Sequence, residues 1–233
     1  MASIDVCLSP NLLPLYNLEG KLVIVVDVLR ATSCIVTAIA HGIGHIIPFD
    51  NLEDCAALKA EGYLTAAERD GQQVEGFDFG NSPFTYMGPE LKGKNLAVTT
   101  TNGTACIKQS EGAKEIGIGS FLNLRAVAAY IRTTKSDVVI ACSAWKGKPN
   151  AEDTLFAGAL IELLPELLPE SDNCLLAQTL WVAAKENPAA FINQTTHVQR
   201  LHNLGIIDDI PFCMQTDVYP IMLLIEEGKI RKA

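Results

Sequence analysis

LVIVVDVLRATS, residues 22–33, begins with five consecutive apolar residues, four of them β-branched, and runs into Asp27 with Arg30 three positions on. Ala31, Thr32 and Ser33 then open a helical run to Ala40. A strand apolar on both faces reads as a buried central strand of a parallel sheet, because a half-exposed strand alternates. Ligands of open α/β sheets collect outside the carboxyl ends of the strands, so chemistry is expected just past Val26. An acid ending such a strand serves as metal ligand or acid/base group, and an Arg beside it grips phosphate or carboxylate. An Asp27–Arg30 pair that only closes the turn is the alternative.

The same alternation recurs along the chain. His45 to Phe49 reads as a short strand, followed by a helix capped at Asp50 or Asn51 and stopped at Gly62. Tyr63 to Ala67 reads as a third strand that delivers Glu68, Arg69 and Asp70 at its end. Asn95–Thr99, Glu115–Ile118 and Asp137–Cys142 are further strands, each followed by a polar loop and a helix. A long helix opens near Ala151, two or three amphipathic helices run to Asn203, and Val218 to Ile225 reads as a late strand. The expected class is α/β, layered α/β/α around a largely parallel or mixed sheet. The 233 residues form one α/β unit, within which two similar lobes remain an open arrangement.

Composition narrows the function. The chain is 48% hydrophobic and 19% charged, and no apolar run approaches the roughly 18 to 20 residues of a membrane span. MASIDVCLSP lacks a basic region followed by an apolar one, so the expected address is the cytoplasm. A net charge of −9 argues against nucleic acid and anionic membrane as partners. An anionic substrate then needs a local basic site. The seven cysteines form no CxxC pair and read as reduced, buried residues. The apolar helices after Leu160 suit a homodimer face and a core equally well.

Four stretches carry candidate chemistry besides Asp27 and Arg30. Glu68-Arg69-Asp70 places acid, base and acid together, as a charged surface turn also would. GFDFGNSP makes Asn81 and Ser82 candidates for an anion cradle, with Pro83 suited to the first helical position. TTTNGTA offers Thr100, Thr101, Asn102, Gly103 and Thr104 as a second cradle. Glu152 and Asp153 open a helix, where the dipole alone favours acids, and with Asp27 they form an oxygen-rich set suited to Mg2+. Ser143 ends a strand, with Lys146 and Lys148 in the loop behind it. No GxxxxGK[ST] or GxGxxG is present, which disfavours nucleoside triphosphate hydrolysis and a dinucleotide cofactor. His197 and His202, five residues apart, share no helix face and read as surface or packed residues.

In order, VVDVLRATS, AERDGQQVEGFDFGNSP, TTTNGTACI, GSFLNLRAV, ACSAWKGKPNAEDTLFAG and DDIPFCMQTDVYP resemble the 2-phosphosulfolactate phosphatase family from about Val23 to Pro220. The resemblance implies a Mg2+-dependent phosphatase releasing sulfolactate and inorganic phosphate from (2R)-2-phosphosulfolactate, a step toward coenzyme M. It also implies an α/β fold unlike the haloacid-dehalogenase phosphatases, and Asp27-Val28-Leu29 indeed lacks a DxD pair. On both lines Asp27, Arg30, Glu68 and Arg69 are the candidate catalytic residues. Asn81, Ser82, Thr101, Asn102, Gly103, Thr104 and Ser143 are the candidate substrate-binding residues, and Asp27, Glu152 and Asp153 hold the metal. A phosphatase of another phosphorylated 2-hydroxy acid or a phosphosugar, a non-catalytic phosphate-ligand binder, and an isomerase or lyase acting on a phosphorylated acid are the competing readings.

Overall fold

The computed structural model describes residues 1–233. Eleven strands form one mixed sheet: β1 (Ser3–Cys7), β2 (Leu22–Val26), β3 (Ile46–Pro48), β4 (Leu64–Arg69), β5 (Gln72–Gln73), β6 (Leu96–Thr99), β7 (Glu115–Gly119), β8 (Val138–Cys142), β9 (Leu168–Pro169), β10 (Leu223–Glu226) and β11 (Lys229–Lys232). The helices are α1 (Ala31–Ala40), α2 (Leu52–Ala57), α3 (Gly103–Gln109), α4 (Leu124–Thr134), α5 (Ala151–Leu163), α6 (Asp172–Ala184), α7 (Pro188–Ile192), α8 (Thr196–Asn203) and α9 (Asp209–Cys213). Short 3-10 turns link several of them.

The spatial order is β5-β4-β6-β3-β11-β10-β7-β2-β8-β1-β9. β7, β2, β8, β1 and β9 are mutually parallel, as are β3, β6 and β4. The antiparallel hairpin β10–β11 lies between the two sets and pairs antiparallel with β7 and with β3, so the sets run in opposite directions. Both sheet edges are two-residue strands, which leaves little unpaired backbone to template association.

β2 lies fully buried between β7 and β8, parallel to both. Its side chains alternate between two cores. Leu22, Ile24 and Val26 join a cluster with Phe156, Leu160 and Val198, whereas Val23 and Val25 pack with Ile35, Leu96 and Ile118. Burial on both faces explains the uninterrupted apolar run, at about 1.5–3 kcal/mol per fully buried side chain. α5 and α6 stack over the first core at a point where Gly158 faces the Ala177 carbonyl, leaving no room for a Cβ.

The differences from the sequence reading are local. β4 extends through Arg69 instead of stopping at Ala67, and the strand expected over Val218 to Ile225 is β10, which begins at Leu223. β1, β11 and α9 were not expected. The helix after β7 opens as a 3-10 turn over Phe121–Asn123, where Asn123 accepts the Ser120 NH and donates to the Ile118 and Ile221 carbonyls. No helix is long and apolar enough to cross a membrane.

Candidate active site

Val26 pairs with Gly119 and Cys142, so Asp27 is the first residue to emerge at the carboxyl edge of its strand set. The turn there is closed by Thr32, whose hydroxyl donates to the Asp27 carbonyl at 2.9 Å and accepts the Asp27 NH at 3.0 Å. Asp27 Oδ1 accepts the Ala31 NH at 3.2 Å, and Oδ2 is left free. From the opposite strand set, Gly103 begins α3 directly against this carboxylate. A Cβ on Gly103 would lie 2.6 Å from Ala31 Cβ and 2.9 Å from Asp27 Oδ2. Glycine is therefore required for the loops after β2 and β6 to meet.

A narrow cleft opens at this junction, with about 410 Å³ of empty space counting its mouth. Of its fourteen lining residues only Leu29, Trp145 and Leu201 are hydrophobic, so it suits a small polar ligand. Asp27, Arg30, Glu68, Asn81, Thr101 and Asn102 line it as the sequence suggested, joined by Asp70, Gly71, Lys146, His197 and Arg200. Three permanent cations, Arg30, Lys146 and Arg200, share this lining with three acids, Asp27, Glu68 and Asp70, so the cleft is highly charged without being net basic.

Each wall is held by named contacts. The Arg30 guanidinium pairs with Asp209, both side chains under 10% exposed, and its Nη2 donates to the Gly71 carbonyl at 3.2 Å. The second Asp209 oxygen accepts the Ser82 hydroxyl at 2.8 Å. Glu68 accepts the NH groups of Gly71 and Thr101. Lys146 Nζ sits 3.4 Å from Asp70 Oδ1, and Arg200 donates to the Asp70 carbonyl at 2.5 Å. Both cations lie over the Trp145 ring, at 5.8 and 5.5 Å from its centroid. Ala144 and Lys146 take left-handed φ values of 59° and 51°. Such conformations cluster in sites where the fold aims a side chain, here Trp145.

Several candidates have other partners. Arg69 turns away from the cleft, donating to the Glu68 carbonyl at 2.7 Å and Thr99 Oγ1 at 2.9 Å. Consecutive strand residues face opposite ways, so Glu68 in the cleft puts Arg69 outside it. Ser82 contacts Asp209 rather than the cleft. Thr104 folds back, its NH bonded to Thr100 Oγ1 and its hydroxyl to the Thr100 carbonyl. Asp153 is fully buried, and its two oxygens accept the Val28 NH at 2.9 Å and the Ala144 NH at 3.1 Å, fastening the turns after β2 and β8 together. Ser143 is buried with no partner for its hydroxyl. Glu152, also fully buried, meets His197 Nδ1 at 2.5 Å.

Burial sets the electrostatics. Desolvation raises the Asp27 carboxyl to about 6, with Glu68 and Glu152 adding to it and the Ala31 NH and His197 opposing. Asp153 is pushed well above the usual carboxylate range by burial and then by Asp27 and Glu152. No group of three or more His, Cys, Asp and Glu side chains is spaced to share one cation. Of the expected metal set, Asp153 has both oxygens on backbone NH groups and Glu152 faces His197, which leaves Asp27 Oδ2 as the free carboxylate oxygen; one or two carboxylates beside water and substrate phosphate are what Mg2+ would need.

His197, Asp209, Arg200 and Trp145 are the site residues that sequence reasoning did not assign. His197 and Arg200 are three apart on α8 and so share a helix face, a signal that the comparison of His197 with His202 obscured.

The family model for 2-phosphosulpholactate phosphatase matches residues 7–228. The chain belongs to the 2-phosphosulpholactate phosphatase family. Its relatives include a probable 2-phosphosulfolactate phosphatase of Caldanaerobacter subterraneus subsp. tengcongensis, 38% identical over 221 residues and covering 92% of each chain. One of Thermotoga maritima is 35% identical over 215 residues, covering 92% of this chain and 93% of the relative. Another, from Clostridium novyi, is 33% identical over 233 residues and covers 98% and 99%. Every cleft residue of this phosphosulpholactate phosphatase family member, from Asp27 to Leu201, falls inside the matched span.

Proposed function

We propose that the chain is a phosphoric monoester hydrolase that converts (2R)-2-phosphosulfolactate and water to sulfolactate and inorganic phosphate. The observation that carries this reading is the polar cleft in which a free carboxylate oxygen, Asp27 Oδ2, stands among three permanent cations and two side-chain amides. Phosphoryl transfer needs charge neutralisation on three equatorial oxygens and an aligned nucleophile more than it needs covalent chemistry.

Arg30, already fixed by Asp209 and the Gly71 carbonyl, grips the phosphoryl group with Asn81 and Asn102. A guanidinium fixed in this way loses little freedom on binding. Lys146 and Arg200, both against the Trp145 ring, meet the sulfonate and carboxylate. Glu68 takes the proton of the attacking water. Mg2+ belongs at Asp27 Oδ2, where it would neutralise developing charge on the phosphoryl oxygens. Seven buried, unpaired thiols suit a reducing compartment such as the cytoplasm.

The test is selectivity. Phosphate release is compared for phosphosulfolactate, phospholactate and a phosphosugar at equal Mg2+. Preference for phosphosulfolactate that collapses in Lys146→Ala and Arg200→Ala supports the reading. Equal rates on all three esters would discard sulfolactate as the substrate and retain only a general phosphatase.

A further inference from the structure

His197 carries no role in the chemistry so far, yet its surroundings are built around it. The ring is only 7% exposed and lines the cleft. Nδ1 is engaged by Glu152 Oε1 at 2.5 Å, so the ring edge left for a ligand carries Nε2. One face is covered by Trp145, stacked at 5.2 Å between centroids and 18° between planes. Glu152 is fully buried, and its second oxygen, Oε2, has no partner at all. Burying a carboxylate oxygen unpaired costs stability, on the order of 1–3 kcal/mol or more. A purely structural histidine contact would not need that cost. A carboxylate behind an imidazole fixes the tautomer and orientation and stabilises the protonated ring.

We infer that His197 is the general acid of the reaction, delivering a proton from Nε2 to the departing ester oxygen, with Glu152 and Trp145 as positioning residues. The inference rests on the phosphatase reading. In the step, the water oxygen forms a bond to phosphorus while its proton passes to Glu68. The bond between phosphorus and the ester oxygen breaks, and that oxygen keeps the electron pair and takes the His197 proton. Alcohol and phosphate leave, and solvent returns the proton from Glu68 to His197. The charged and titratable groups facing His197 are Glu152 from α5, Asp27 from the end of β2, Lys146 from the loop after β8, and Arg200 on α8 itself.

A general acid matters in proportion to how badly the leaving group needs a proton, which gives the test a readout that a structural role would not move. Phosphate release is measured on (2R)-2-phosphosulfolactate and on its 3,3-difluoro analogue, which has nearly the same shape but a more acidic alcohol. Wild type is expected to turn over both at similar rates. His197→Asn should lose about 10²–10⁴-fold on the natural ester and far less on the difluoro ester. Glu152→Gln, which keeps an acceptor for Nδ1 but not the charge, should show a smaller loss with the same bias. Equal loss on both esters in a folded variant would overturn the inference, because it marks a scaffold role. Should His197→Asn not fold, the wild-type ratio and Glu152→Gln decide: a wild type strongly favouring the difluoro ester would show that no acid operates. No release from either ester by wild type would remove the phosphatase reading, and the general acid with it.

Discussion

Replacing Asp209 by Ala leaves the Arg30 guanidinium buried without its counter-charge and strips the Ser82 hydroxyl of its acceptor. Removing one partner of a buried pair costs about 3–5 kcal/mol, because the remaining charge cannot reach water. At about 2–4 °C per kcal/mol for a protein of this size, the midpoint of thermal unfolding should fall by about 6–20 °C. The Gly71 carbonyl is then Arg30's only remaining partner in the fold. Because Arg30 also lines the cleft, excess inorganic phosphate should restore part of the loss, and restore more in the variant than in wild type. The double replacement Arg30→Met with Asp209→Leu should regain most of the stability and none of the turnover, separating the energetic from the functional role of the pair. Calorimetry with and without phosphate is the assay. A loss below about 1 kcal/mol, as expected of an exposed ion pair, would refute the description of Arg30 as a buried, pre-fixed phosphate clamp.

Gly103→Ala should cost about 1–3 kcal/mol and depress turnover, since the new methyl meets Ala31 and Asp27; unchanged kinetics would show that α3 can back away from β2. Asp27→Asn should abolish turnover while making the metal-free protein more stable above pH 6. Its carboxyl is raised from 3.8 to about 6, so the folded state binds the proton more tightly and wild-type stability falls as pH rises across that interval. Chemical denaturation of the two proteins at pH 4 and pH 7.5, which spans nearly all of that interval, checks the sign, and a wild-type advantage at the higher pH would contradict it. Arg69→Ala should leave KM nearly unchanged, because its guanidinium bonds Thr99 and the Glu68 carbonyl outside the cleft. Chelation of divalent cations should stop phosphate release and Mg2+ should restore it; full activity after exhaustive chelation would remove the metal from Asp27.

The central strand was legible because burial on both faces demands an uninterrupted apolar run, and the acid that ends it then has to lie at the sheet's carboxyl edge. Asn81, Thr101 and Asn102 were legible as polar residues in loops after strands. β1 was not, because SIDVC carries Asp5, which stays nearly buried by accepting the Val6 NH and the Ser171 hydroxyl. β11 hid behind three basic residues, with only Ile230 reaching the core. The Glu68–Arg69 pair could be sorted only once β4 was known to run through both residues. Glu152 reads as an ordinary helix-opening acid until His197, 45 positions later, is found against it. Asp209 likewise acquires meaning only from Arg30, 179 positions away. Long-range pairing of this kind leaves no periodic mark in a single sequence.

The most direct test is phosphorus NMR of the protein with (2R)-2-phosphosulfolactate and Mg2+, beside Asp27→Asn. The ester signal should give way to inorganic phosphate with wild type and persist with the variant. An ester that binds wild type and shifts its resonance without ever releasing phosphate would contradict the account and make the cleft a binding site.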